Sequence, residues 1–108
     1  MQNMSFRNWG ADWHHLDCPK CGDDGYLHHE AVNIYDRDSE DSKSGMHVYS
    51  NGSTAAIKTD ASMDMCPSPR RDGLTIDFSC EICGGIYRLA LIQHKGKTYW
   101  YWIDIAWK

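Results

Sequence analysis

The chain has 108 residues, 42% of them hydrophobic and 24% charged, with a formal net charge of −4. A chain this short makes one domain and buries only about two-thirds of the surface it exposes when unfolded, so its core gains from a staple. Nothing approaches the ~18 consecutive apolar residues of a membrane span, Met1–Gly10 has no continuous apolar stretch, and the negative balance argues against a surface that grips phosphate throughout; a soluble, cytoplasmic protein is expected.

No segment has helical periodicity. Gly-containing turns punctuate short runs of β-branched and aromatic residues, which predicts an all-β protein. In chain order, Trp13-His14-His15-Leu16 leads into Cys18-Pro-Lys-Cys21-Gly22, and a strand is predicted from Tyr26 to Tyr35. Asp36 to Gly45 is charged and Ser-rich without an apolar residue, so an exposed, mobile loop is expected there. Met46 to Tyr49 and Thr54 to Thr59, joined across Ser50-Asn-Gly-Ser53, form a predicted hairpin, because Asn-Gly supplies the positive φ that a tight turn needs. Ala61 to Gly73, with Pro67 and Pro69, reads as an irregular connection. Leu74 to Phe78 alternates apolar with polar, a half-buried strand leading into Cys80-Glu-Ile-Cys83-Gly84. Ile86 to Gln93 and Thr98 to Ala106 flank His94-Lys-Gly-Lys97 as a second hairpin.

Cys18, Cys21, Cys80 and Cys83 carry the strongest chemical signal. A Cys-x-x-Cys turn sets two thiolates on one side of a tight loop, and two such turns facing each other complete a tetrahedron suited to Zn²⁺. Four thiolates leave no position for water or substrate, which points to a structural ion. Metal binding to a site absent from the unfolded chain is folding free energy, on the order of 10 kcal/mol or more, so the metal-free chain is expected to be partly or wholly unfolded. Closely spaced cysteine pairs also fit a reducing compartment.

Together with strands at 74–79, 86–93 and 98–106 forming a small antiparallel sheet, these two Cys-x-x-Cys-Gly turns resemble the zinc-ribbon family. The resemblance covers the turns and the last third of the chain. It implies that the four cysteines ligate one zinc at the end of that sheet, with Gly22 and Gly84 as knuckle glycines. Here 58 residues separate Cys21 from Cys80, against roughly 15–20 in a compact site. Closing the longer loop costs only about 1 kcal/mol more. Residues 24–73 are therefore read as a β-rich insertion within a single domain 1–108, its strands laid beside the ribbon. Pro69 to Ile76, with Gln93 to Gly96, also resembles small zinc-ribbon proteins of bacteria and their phages, a likeness that supplies no function.

Other constellations compete for a role. His28-His29-Glu30 upstream of a Cys-x-x-Cys is similar to the signature of zinc deaminases, but Ser79 stands where proline belongs, and strand neighbours such as His28 and His29 point to opposite faces. His14 and His15 are better placed for outer-shell or surface roles than as ligands, and His47 is isolated. Asp36-Arg-Asp-Ser-Glu-Asp41 has oxygen ligands at alternate positions yet lacks the glycine and closing glutamate of a calcium loop. Met63, Met65 and Cys66 raise Cu(I) binding, against which Cys66 reads as an ordinary lone thiol.

Two features bear on partners. Arg70, Arg71, Lys95 and Lys97 form a local basic patch if their loops share one end of the sheet; the competing reading is a solvated turn and a loop paired with Asp72. Tyr99 to Trp107 is aromatic on both faces of a strand, with Trp100 and Trp102 on one side, so either the insertion covers the second face or a platform stays open; internal cover is the expectation. No nucleophile sits beside a base and no phosphate-cradling loop occurs, so a non-enzymatic module is expected. Its resemblance implies contact with nucleic acid or an enzyme that handles it, Arg70, Arg71, Lys95 and Lys97 holding phosphates while Trp100 or Tyr101 stacks. The alternative is a protein-binding regulator, such as a phage-encoded modulator of a host complex, using the acidic loop and the aromatic strand.

Overall fold

The computed structural model describes residues 15–22 and 26–104. They form an all-β fold with no helix among them: β1 (Leu27–Arg37), β2 (Ser44–Ser50), β3 (Ala55–Ser62), β4 (Gly73–Cys80), β5 (Ile86–His94) and β6 (Lys97–Asp104). All six join one antiparallel sheet in the order β3-β2-β1-β4-β5-β6. The C-terminal meander β4-β5-β6 is the sheet expected from the sequence. The insertion does not fold apart from it, because β1 pairs with β4 from Leu27↔Cys80 to Tyr35↔Gly73 and so widens the same sheet.

Several boundaries differ from expectation. The loop after β1 is only residues 38–43, since Asp36 and Arg37 continue β1 and Ser44 and Gly45 begin β2. It is tethered. The Arg37 guanidinium donates to the carbonyl oxygens of Arg71 (2.9 Å), Ser68 (2.6 Å) and Ser42, and Asp72 accepts from the Arg37 backbone N–H (2.8 Å). Buried carbonyls need donors, and this one side chain serves three. The connection between β3 and β4 shrinks to residues 63–72, because Ala61 and Ser62 still pair with β2. At the other hairpin, Lys95 (φ 53°) and Gly96 (φ 80°) both adopt the left-handed values of a tight two-residue turn, so β6 begins at Lys97. Residues 105 and 106 lie outside the described residues, as do Met1–His14 and Trp107.

The two faces of the sheet differ. On one, the 63–72 connection packs against the strands: Tyr35, Ala61 and Met63 form a buried cluster with Cys66 against it, and the Tyr101 hydroxyl donates to the Pro67 carbonyl at 3.2 Å. Thr75 and Ala90 are buried on this face, as is most of the Asp77–Arg88 ion pair (2.6 and 3.0 Å). The opposite face carries the row Ile57–Val48–Ile34–Leu74–Leu91–Trp100, running through all six strands. Internal cover is thus corrected. The connection shields part of the Tyr99/Tyr101 side, whereas the insertion's strands lie beside the Trp100/Trp102 side instead of over it, leaving Trp100 60% exposed.

Candidate metal centre

Both Cys-x-x-Cys turns fold alike. Gly22 N–H donates to Cys18 O (2.8 Å) and Gly84 N–H to Cys80 O (2.9 Å), each glycine having a positive φ, 71° and 74°. A side chain at either position would strain the turn, which is why the pattern ends in glycine. Inside each turn, amides aim at sulfur: Cys21 N–H reaches Cys18 Sγ at 3.4 Å and Cys83 N–H reaches Cys80 Sγ at 3.5 Å. Such donors favour thiolate over thiol.

β4 delivers Cys80 at its end, and the pairing of Leu27 with Cys80 anchors the chain soon after the first turn. Glu81 N–H also donates to Tyr26 O at 2.9 Å, tying the second turn to the start of the insertion. The result is a cluster of four sulfurs all within 4.8 Å of one another. Across the turns, Cys18 Sγ lies 3.9 Å from Cys83 Sγ, and Cys21 Sγ lies 3.8 Å from Cys80 Sγ. An ion held tetrahedrally by four sulfurs at about 2.3 Å requires edges of about 3.8 Å, so the cluster has the size of a tetrathiolate site. Cys18 and Cys80 are buried while Cys21 and Cys83 are partly exposed, so one edge of the tetrahedron faces outward.

Three of the thiols are shifted, and not in the same direction. Burial, reinforced by contacts with Cys83, Cys80 and Cys18, pushes Cys21 up to about 12. The Tyr87 hydroxyl donates to Cys83 Sγ at 3.2 Å and, with the backbone amide of Gly85, pulls that thiol down to about 6. Backbone amides of Cys83 and Ile82 lower Cys80. A cluster that already favours thiolate at some positions binds a cation by displacing the remaining protons. Tyr87, Cys18 and Cys80 form one buried cluster, with Leu27 and Trp102 packed against it.

The other predicted residues are placed as follows. His28 lies in β1 and pairs with Glu81 (3.0 Å), and the Ser79 hydroxyl donates to Glu30 (2.6 Å) across a bulge at 29–31. Neither residue belongs to the sulfur cluster. His15 pairs with Asp17, and His14 lies outside the described residues. His47 stacks on Tyr35 (4.6 Å) and bonds Asn33. The Cys66 thiol donates to Arg71 O at 3.5 Å, while Met63 is buried and Met65 is exposed.

Arg70, Arg71, Lys95 and Lys97 do gather at one end of the sheet, where Gln93 N–H donates to Asp72 O (3.3 Å). The pairing is not with Asp72. Arg70 bonds Glu40 (2.6 Å) and Asp41 (2.8 Å), and Arg71 bonds Glu40 (3.3 Å), because the loop 38–43 arrives at the same end. Acidic loop and basic pair therefore neutralise each other, a juxtaposition of residues ~30 apart in sequence.

Three residues escaped sequence reading. Arg37 was hidden inside an acidic run. Tyr87 gave a usable signal, since it stands four residues after Cys83 at the mouth of the strand. Gly85 gave none: a Cβ there would lie 2.5 Å from the Tyr87 hydroxyl, so its smallness seats that tyrosine. No family model matches the chain, and no curated protein or solved structure matches it either.

Proposed function

We propose that the chain is a non-enzymatic module of zinc-ribbon type, folded around one zinc ion, that offers its Trp100/Trp102 sheet face to a protein partner. The single observation behind this reading is the apolar row that crosses all six strands on that face and ends at an exposed tryptophan. Ile57 and Trp100 are exposed and Val48, Ile34, Leu74 and Leu91 partly so, and a contiguous apolar strip left open in this way marks an interaction site. Ile34, Leu74 and Leu91 also line an open hollow of about 530 Å³ on it, bordered by Asp36 and Asp72. Zinc is the ion that four thiolates at this spacing suit, and a complete sulfur tetrahedron leaves it a structural task.

The nucleic-acid reading draws on the same end of the sheet, but two of its four cations are engaged by Glu40 and Asp41. What remains is too little positive charge to favour phosphate on a chain of net charge −4. The test combines two measurements. The purified protein carries one zinc per chain and leaves fluorescein-labelled single-stranded DNA and RNA unshifted at 50 mM salt. Capture from an extract, with and without nuclease, retains the same protein on wild type and on Arg70→Ala/Arg71→Ala but loses it on folded Leu91→Lys. Oligonucleotide binding that falls tenfold or more between 50 and 200 mM salt would instead establish the phosphate reading.

A further inference from the structure

An open sheet has two edges, and here they are unlike. β3 is bulged: Gly45↔Ala61 is followed by His47↔Lys58, so β3 holds one extra residue, and Asp60 within it adopts φ 55°. Lys58 and Asp60 add charge of both signs. Bulges and charges of this kind are how proteins keep an edge from pairing with another strand. β6 has neither. Its register with β5 is unbroken from His94↔Lys97 to Tyr87↔Asp104, it contains no proline, and residues 98–103 are uncharged.

The bonding groups of β6 can be sorted from the turn. In a two-residue hairpin the closing pair, His94 and Lys97, exchanges hydrogen bonds, so Lys97, Tyr99, Tyr101 and Ile103 point their backbone groups inward to β5. The alternation is consistent on β5, where Gln93 N–H turns the other way to reach Asp72 O. Thr98, Trp100 and Trp102 therefore direct their N–H and C=O groups away from the sheet, and no described strand meets them.

We infer that β6 is a docking edge for a second copy of this chain, two β6 strands pairing antiparallel about a two-fold axis at Trp100 or Tyr101. Opposed residues in such a pair share a face, so both registers bring the Trp100/Trp102 rows of the two copies side by side. The uncharged stretch lets two chains of net charge −4 approach there without opposing like charges directly. Since the bulged β3 is closed to pairing, β6 meets β6 and the assembly ends as a dimer of twelve strands, not a filament. One strand pair falls below the ~1,200 Å² of stable interfaces, so the dimer is weak and forms only at high protein concentration. It stands independently of the partner reading above.

The test is sedimentation equilibrium of the full, metal-loaded chain from about 10 μM to about 1 mM, together with amide hydrogen exchange at both limits. The average mass is expected to rise from near 12.4 kDa toward twice that value. Exchange at Thr98, Trp100 and Trp102 should slow about fivefold or more at the high concentration, while Tyr99 and Tyr101 stay protected at both. Trp100→Pro removes an outward N–H without costing a β5–β6 bond, and should be monomeric at 1 mM with its metal retained. A wild-type monomer at about 1 mM, association with no slowing at those three amides, or a Trp100→Pro variant that still dimerises would each overturn the inference; the exchange data decide should that variant not fold.

Discussion

Removing the metal proposed for the four-cysteine cluster is the most searching perturbation of this molecule. Among the described residues the buried core is small: two clusters, with Leu89 and Ala90 also buried on β5, and one of the clusters, Cys18, Cys80 and Tyr87, is built from the candidate ligands and the tyrosine that bonds them. What remains without the ion is Tyr35, Ala61 and Met63 beneath the 63–72 connection, together with Leu89 and Ala90 of β5 and partly buried strand residues. Burial of Met63 and Tyr35 contributes about 2–3 kcal/mol each at most, and four repelling or protonated sulfurs oppose the approach of the two turns. Structural zinc supplies on the order of 10 kcal/mol, comparable to the entire ~5–15 kcal/mol stability of an ordinary domain. At about 4–8 °C per kcal/mol, its loss displaces the melting transition by 40 °C or more. Metal-free protein prepared with a high-affinity chelator in the presence of reductant is therefore expected to show collapsed amide dispersion in a ¹H–¹⁵N spectrum and no cooperative melt above room temperature. One equivalent of Zn²⁺ restores both. A metal-free chain that keeps a dispersed spectrum and melts within about 5 °C of the loaded form would refute the claim that the ion holds the fold together.

Tyr87→Phe removes the hydroxyl bonded to Cys83 while filling the same space, and is expected to weaken metal retention about 10–100-fold in a chelator competition with the spectrum unchanged. Gly85→Ala should reproduce that loss, because its Cβ occupies the seat of the same hydroxyl. Arg37→Ala leaves the carbonyls of Arg71, Ser68 and Ser42 without their donor, and should lower unfolding free energy by about 2–4 kcal/mol in denaturant titration, with metal stoichiometry intact. Hydrogen bonding by Arg70 holds the Asp41 carboxyl below its ordinary 3.8. Its contribution to stability is present above that value and fades as pH falls through the lower folded value, because the unfolded chain then binds the proton more readily than the folded one. Both groups are exposed, so the effect on stability is small. A carboxyl titration by NMR should place the Asp41 midpoint below 3.8 in wild type and return it toward 3.8 in Arg70→Ala.

Local chemistry made much of this protein legible. Alternation from Leu74 to Phe78 marked β4, Asn51-Gly52 and Lys95-Gly96 marked their turns, and the two Cys-x-x-Cys-Gly patterns marked both halves of a sulfur cluster 58 residues apart. Each signal is contained in a handful of neighbouring residues whose backbone preferences do not depend on the rest of the chain. The acidic run at 36–41 misled for the converse reason. Nothing near it shows that Arg37 would be claimed by three distant carbonyls, or that Glu40 and Asp41 would meet Arg70 and Arg71.

From the order of residues alone came the all-β class, the positions of the strands and turns, and the four cysteines that converge, because sulfur spacing and strand periodicity are properties of short segments. Only tertiary structure decided how the strands neighbour one another, and with that everything concerning the surface: which face of β6 the 63–72 connection shields, which stays open, and which charges cancel. Pairing across a sheet joins residues that lie tens of positions apart, and its register is set by the packing and closure of the whole chain rather than by any local preference.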